Sequence, residues 1–180
     1  IGEHAYGREN LKTDLTENVS QKYISICGED KGITVANNGI YGSSFDGNTN
    51  TLKLTLLRSP SYCAHPVDDR VVLPQDKFSP HIEQGERDYS FKIDFGKRYK
   101  ILNNASRFAQ HFNVKPMALS FYPSAIGSKP QAPVSIINNN IINITALKKA
   151  EIGDGYIIRL FNPVEKKKKA TLRIENAESE

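Results

Sequence analysis

The side chains with the clearest capacity for chemistry in this 180-residue chain are its four histidines. Two of them stand shortly before paired acidic residues, which gives the clusters His65, Asp68, Asp69 and His81, Glu83, Glu86. Imidazole and carboxylate groups bind zinc and related metals when several of them converge. Neither spacing matches a familiar ligand set, and such clusters in polar loops are usually solvated surface. The sequence therefore predicts no metal site in this chain.

Short motifs for phosphate binding or nucleophilic catalysis are also missing. The chain has no Gly-rich loop followed by a lysine, no Gly-x-Ser-x-Gly turn and no His-Glu-x-x-His segment, which are the usual signatures of those chemistries. None of these short motifs therefore assigns a catalytic role to a residue of the sequence.

The charge pattern bears on partners. The net charge of +4 comes from 24 basic and 20 acidic residues, and the run Lys166–Lys169 accounts for the excess. Without that run the chain has no broad basic face for a nucleic acid. The run itself either binds a phosphate or an acidic partner or, as is commoner for charge runs, forms a solvated turn. No apolar stretch approaches the roughly 20 residues of a membrane-spanning helix, so we expect neither a nucleic-acid nor a membrane partner.

The elements that must position any functional group are mainly strands. Alternation of apolar and polar residues predicts strands in "QKYISICG", "GITVANNG", "TLKLTLL", "RDYSFKIDFG", "ALSFYP", "VSII", "NIINITALKKA", "GYIIRLFNP" and "KATLRIE". The polar turn residues Glu29–Gly32 favour a hairpin between the first two of these strands. Because the strands follow one another without helices between them, the pattern predicts an all-β, antiparallel sandwich.

One helix is expected, in "ILNNASRFAQHFN". Its apolar residues recur at a spacing of three to four, at Leu102, Ala105, Phe108, Ala109 and Phe112. Asn103 or Asn104 is the candidate N-cap, because a short amide side chain can accept hydrogen bonds from the first turn.

The cysteines and the first residues suggest where the chain works. Cys27 and Cys63 cannot build a disulfide framework, and each lies in or beside an apolar strand pattern. We expect both to be buried thiols in a reducing compartment, which favours the cytoplasm. The N-terminus "IGEHAYGREN" has neither an initiator Met nor the features of a signal peptide, and reads as a chain cut from a longer one.

Four motifs in a fixed order carry a family resemblance over roughly Gly28–Pro163. They are "GITVANNGIYG", a strand that ends in "LLRS", "EQGE" followed by "RDYSFKIDF", and "ITALKKAEIGDGYIIRLFNP". The residues that carry the first three are Gly32, Asn37, Gly39, Tyr41, Gly42, then Leu56, Leu57, Arg58, Ser59, then Glu83, Gly85, Glu86. Together they resemble the C-terminal β-sandwich region of glycoside hydrolase family 38, the α-mannosidases, in the bacterial and cytosolic branch. The resemblance weakens before Tyr23, where the family's tryptophan-bearing strand reads "QKYISI" and the chain has no Trp.

The resemblance implies a large antiparallel supersandwich of the galactose-mutarotase type, with residues 1–180 as a single C-terminal domain of a larger enzyme. In this family the nucleophile, the acid/base and the zinc ligands belong to an N-terminal α/β domain, which a helical domain follows. The parent would hydrolyse α-mannosidic bonds with retention. The resemblance further implies that this chain has no catalytic residue, no metal ligand and no cofactor of its own. We therefore expect the chain to pack against the catalytic and helical domains and to be inactive when isolated.

The resemblance also directs attention to the stretch Asn37–Pro66 as a place for substrate contacts. The candidates that could reach the hydroxyls of an α-mannoside oligosaccharide are Arg58, Asn38, Tyr41, Tyr62 and His65. Each has a structural alternative: Arg58 closes the sheet edge through an internal ion pair, and Asn38 and Tyr41 serve turn geometry and packing.

Two other functions compete with this interpretation. A free-standing carbohydrate-binding sandwich would present exposed aromatic rings to sugars, and the absence of Trp counts against it. A mutarotase-like sugar epimerase would need a histidine and a carboxylate facing each other in one cleft, and no spacing among His65, His81 and His111 selects such a pair.

Overall fold

The computed structural model describes residues 1–61, 78, 80–118, 120, 122 and 132–175. These residues form one helix, α1 (Arg98–Asn113), and twelve strands. The strands are β1 (Gly2–His4), β2 (Gly7–Glu9), β3 (Asn18–Val19), β4 (Tyr23–Cys27), β5 (Lys31–Asn37), β6 (Gly42–Asp46), β7 (Thr51–Thr55), β8 (Phe91–Lys97), β9 (Val134–Ile136), β10 (Asn143–Lys149), β11 (Tyr156–Phe161) and β12 (Leu172–Ile174).

The largest sheet has five strands in the order β2-β1-β4-β5-β8, and every neighbouring pair is antiparallel. The predicted hairpin between β4 and β5 is confirmed, with Cys27 opposite Gly32 and the Gly28 amide donating to the Lys31 carbonyl at 2.9 Å. The alternating pattern in "RDYSFKIDFG" becomes β8, which forms one edge of the sheet.

Helix α1 covers one face of this sheet. Tyr23 and Ala36 pack there against Ala105 and Ala109 in a fully buried cluster. The small alanine side chains let the helix lie close to the strands. At Gly32 a β-carbon would come within 3.3 Å of Ile101, so this strand position also has little room for a side chain.

The helix begins earlier than its sequence predicts. Lys97 is the N-cap residue and makes no side-chain capping bond. Asn103 and Asn104 lie inside the helix, so the prediction that one of them is the cap is wrong. Leu102, one of the predicted apolar positions, is half-buried, and the neighbouring Ile101 is buried instead.

The opposite face of the sheet is covered only in part. Leu11 and Phe45 line a cavity of about 290 Å³ together with Ile24, and Phe45 belongs to a second sheet of order β3-β6-β7. At the other edge the cover ends, because the Ile93 and Phe95 side chains of β8 are 59% and 81% exposed.

Two further two-stranded sheets lie toward the C-terminus. Strand β10 pairs with β11, with a bulge between Ile144 and Ala146, and β12 pairs with β9. The predicted turn before β11 is confirmed, because the Ala150 amide donates to the Gly155 carbonyl at 2.8 Å. Phe161 meets the Tyr6 ring edge to face with centroids 5.9 Å apart, which joins this hairpin to the first sheet.

The prediction of an antiparallel all-β sandwich with one helix is therefore confirmed for the part of the chain that the structure describes. That helix, the only one in the described ranges, lacks the length and apolar character needed to cross a membrane.

Candidate functional site

Two of the predicted contact residues meet in one small pocket. Arg58 and Tyr41 both line a cavity of about 280 Å³, beside Thr55 at the end of β7 and Glu17 just before β3. Strands β3, β6 and β7 are paired in this sheet, so the pocket rests on a continuous hydrogen-bonded platform. We call this cavity the Arg58 pocket.

The carboxylate of Glu17 is the organising group of the Arg58 pocket. Its Oε1 accepts a hydrogen bond from the Thr55 hydroxyl at 2.8 Å, and its Oε2 lies 3.3 Å from the Arg58 guanidinium. A β-carbon at Gly42 would come within 2.7 Å of Glu17 Oε1 and 2.9 Å of the Thr55 β-carbon. A side chain at position 42 would therefore crowd the Thr55 β-carbon and displace the Glu17 carboxylate.

The ion pair between Arg58 and Glu17 is the internal contact expected if Arg58 has a structural role. The Arg58 side chain is nevertheless 76% exposed, against 38% for Glu17. A guanidinium has five N–H donors, so those not used by Glu17 are available to hydroxyl or carboxylate oxygens. Tyr41 places an exposed ring at the same opening.

Asn38 occupies the turn between β5 and β6 and is exposed, but it does not line the Arg58 pocket. The turn is built by its neighbour Asn37, whose Oδ1 accepts hydrogen bonds from the Gly39 and Ile40 amides at 3.0 and 2.9 Å. Gly39 has a φ of +136°, which favours glycine. Asn37 is buried, and its own carbonyl accepts a hydrogen bond from the Asn113 side chain at the end of α1.

The remaining predicted contact residues, Tyr62 and His65, lie outside the described residues. Of the other histidine cluster, His81 contacts Ser59, with Nδ1 2.6 Å from the Ser59 carbonyl oxygen, whereas Glu83 pairs with Arg87. No three His, Cys, Asp or Glu side chains converge anywhere in the described ranges.

Two buried groups with raised pKa values stand apart from the Arg58 pocket. Burial raises the pKa of Tyr23 to about 12, in the layer between α1 and the sheet. Burial also raises the pKa of Glu3, although Lys22 lies 3.4 Å from it and opposes the shift. These groups belong to the packed interior, and the Arg58 pocket is suited to hydrogen bonding of oxygen-rich ligands.

Sequence reasoning missed Glu17 and Asn37 as organising residues. Asn37 was visible as part of the Asn-Asn-Gly turn signal. Glu17 carries no local signal, because its partner Thr55 is distant in sequence and is reached only through the pairing of the strands.

The described residues form an antiparallel β-sandwich with a single helix packed on one sheet. The same fold occurs in a protein in the glycosyl hydrolase family 38 from Enterococcus faecalis, with a TM-score of 0.72 and 14% sequence identity. That likeness covers 98% of this chain and 20% of the other. At this identity it shows the fold alone.

A second similarity lies in the sequence of the C-terminal part. Residues 142–180 match the family model for the glycosyl hydrolases family 38 C-terminal beta sandwich domain. The match begins with the last of the four predicted motifs, and the predicted resemblance to the C-terminal β-sandwich region of glycoside hydrolase family 38 is confirmed over these residues. No curated protein matches the sequence.

Proposed function

We propose that this chain is the non-catalytic C-terminal domain of an α-mannosidase that hydrolyses α-mannosidic bonds with retention. The observation that carries the proposal is the family 38 match over residues 142–180, on a chain that spans 20% of the length of the similar family 38 structure. In the family to which the motifs point, the nucleophile, the acid/base and the zinc belong to the catalytic domain. By the same resemblance, the proposal places the zinc in that domain.

The partners in this proposal are the catalytic and helical domains of the same polypeptide. Uncovered apolar surface supports this. Paired residues of neighbouring strands share a face, and one face of the β10–β11 hairpin carries Ile144, Leu147, Tyr156, Ile158 and Leu160. Leu147 and Leu160 are exposed and Tyr156 is 73% exposed, although apolar faces of this kind are normally covered.

The other face of the same hairpin is occupied in part, around Arg159 and Phe161. Arg159 donates to the Tyr6 hydroxyl at 3.2 Å, and Phe161 packs on the Tyr6 ring. The uncovered hairpin face and the exposed Ile93 and Phe95 of β8 are the surfaces that we assign to contact with the remainder of the family 38 chain. Contact through these surfaces would bury apolar side chains that this chain leaves in water.

Substrate contacts are proposed for the Arg58 pocket. Arg58 and Tyr41 share an opening there, and an exposed guanidinium held by Glu17 is well placed to bind the hydroxyls of an α-mannoside oligosaccharide. Asn38, Tyr62 and His65 remain proposed contacts of the same kind. A role in cytoplasmic mannose metabolism belongs to this proposal, with the two cysteines as its support.

The test compares two proteins with an aryl α-mannoside as substrate, with and without added zinc. The full-length polypeptide that carries this sequence should turn the substrate over, and the isolated 180-residue chain should not. Circular dichroism and a cooperative unfolding transition show that the isolated chain is folded during the assay. Turnover that follows the purified chain, free of contaminating hydrolase, would overturn the proposal.

A further inference from the structure

A second, larger cavity lies on the opposite side of the sheet from the exposed Ile93 and Phe95. It has a volume of about 840 Å³, within the usual range for small-molecule sites. Four segments form it: strand β2, the turn between β4 and β5, the beginning of α1, and the segment that follows β11. Its charged lining residues are Arg8, Lys31, Lys97, Arg98, Lys166, Lys168, Glu29, Asp30 and Glu165.

Positive charge is concentrated in this cavity. Six cationic side chains face three acidic ones, an excess of three in a chain whose total net charge is +4. None of the six cations forms an ion pair with a carboxylate of the described residues. Cations in excess of the acidic groups around them repel one another, and an anion that binds among them reduces that repulsion.

The cations are held by the fold. Arg98 donates to the Gly28 carbonyl at 3.1 Å, and Arg8 donates through Nη1 to the Leu102 carbonyl at 2.6 Å. The Arg8 side chain also interacts with the buried Tyr23 hydroxyl, which fixes its position further.

The lysine run is fixed beside the cavity at both of its ends. The Asn162 side chain donates to the Lys166 carbonyl at 3.0 Å, and the Asn139 side chain donates to the Lys169 carbonyl at 2.9 Å. Lys166 and Lys168 line the cavity, whereas Lys167 and Lys169 do not. The run connects β11 to β12, which pair with different strands, so it is not the tip of a hairpin.

The floor of the cavity is apolar. Val164 is buried, Leu102 is half-buried, and the exposed ring of Tyr99 stands at the rim. In addition, the first turn of α1 contains no acidic residue, so nothing within that turn offsets the partial positive charge of the helix N-terminus. An apolar floor below a cationic rim suits an organic frame that bears several negative charges.

We propose that this cavity binds a small organic polyanion of the phosphate or carboxylate class, with Arg8, Arg98, Lys166 and Lys168 as its principal ligands. The site lies apart from the Arg58 pocket and goes beyond the proposed function. The run Lys166–Lys169 was expected either to bind an anionic group or to form a solvated turn. We assign it to anion binding, through Lys166 and Lys168.

The test is a titration of the purified 180-residue chain with inorganic pyrophosphate at constant ionic strength, in which binding is measured by calorimetry. The run supplies its own matched control: K166Q/K168Q and K167Q/K169Q change the same number of charges within four residues. We expect saturable binding by the unmodified chain, roughly tenfold weaker binding by K166Q/K168Q, and little change in K167Q/K169Q, because charge-assisted bonds act at short range.

A second arm replaces Arg8 by Gln and repeats the titration, with thermal unfolding as a check of the fold, and binding should weaken again. Equal losses in the two lysine variants would reduce the effect to general attraction by a basic segment and overturn the proposal. Failure of the unmodified chain to bind pyrophosphate beyond the effect of chloride at the same ionic strength would overturn it too. Neither outcome bears on the α-mannosidase proposal, because that assay uses a different substrate and a different pocket.

Discussion

The hydroxyl groups of Ser25 and Thr34 form a buried pair whose removal tests how the helix lies on the sheet. The two oxygens are 2.7 Å apart on opposed residues of β4 and β5, and each residue is 1% exposed. They share the sheet face of Tyr23 and Ala36, which α1 covers. Without the helix, water would reach both groups.

We expect Thr34→Val to keep the shape of the side chain while leaving the Ser25 hydroxyl without this partner. Loss of one partner of a buried hydrogen bond costs about 1–3 kcal/mol in the free energy of unfolding. Ser25→Ala should cost a similar amount. The double variant removes both hydroxyls and leaves neither without a partner. Its loss in the free energy of unfolding should therefore be smaller than the sum of the two single losses by about 1 kcal/mol or more.

The measurement is urea unfolding of the four proteins, followed by circular dichroism because the chain has no Trp. At this chain length, 1 kcal/mol corresponds to a change of about 2–4 °C in Tm, so thermal unfolding provides an independent reading. Single effects below about 0.5 kcal/mol that simply add would mean that the hydroxyls are solvated. The placement of α1 over this face would then be wrong.

Three further predictions follow from the same structure. The far-ultraviolet circular dichroism of the isolated chain should be dominated by β-structure, since α1 is the only helix in the described ranges, and a mainly helical spectrum would contradict the fold. Arg58→Ala should change the stability of the isolated chain by only about 0–1 kcal/mol, because its pair with Glu17 is exposed. The same substitution should lower the kcat/KM of the full-length enzyme about tenfold. Unchanged kinetics would make Arg58 a structural residue. Because burial raises the pKa of Cys27, the thiolate fraction at pH 8 is small. In a Cys63→Ser background, iodoacetamide should therefore modify the folded chain more slowly than the urea-unfolded chain. Equal rates would show that the Cys27 thiol is not shielded.

The sequence predicted those elements whose signals are local. The β4–β5 hairpin follows from two alternating segments joined by a polar turn, and both strands lie where the alternation placed them. In β7 the alternation "TLKLTLL" extends two residues too far, because the ladder to β6 ends at Thr55. Ladder length is set by the partner strand, which a single segment does not reveal.

In β8 the alternation predicts the strand but not its environment. Phe91, Ile93 and Phe95 alternate with Lys92 and Asp94 as expected, yet Ile93 and Phe95 are exposed. The polar face is turned to α1, where the Lys92 ammonium lies 5.1 Å from the centre of the Phe108 ring. Which face is covered depends on elements distant in sequence, and for the apolar face we assign that cover to the rest of the polypeptide.

The candidate site was predictable only in its outline. The resemblance pointed to Arg58 and Tyr41, and the two residues do share a pocket. Their relation to Glu17 depends on the pairing of β3, β6 and β7, and on the absence of a side chain at Gly42. Neither relation has a signature in the local sequence.

The measurement that tests the central claim most directly is the mass of the native polypeptide that carries this sequence. An antibody raised against the 180-residue chain should detect, in an extract of the source cells, a polypeptide about five times the 20.1 kDa mass of the chain, since the chain spans 20% of the similar family 38 protein. The same immunopurified polypeptide should hydrolyse an aryl α-mannoside. A native product of 20.1 kDa, made without proteolysis of a longer precursor, would contradict the account of this chain as one domain of a larger enzyme.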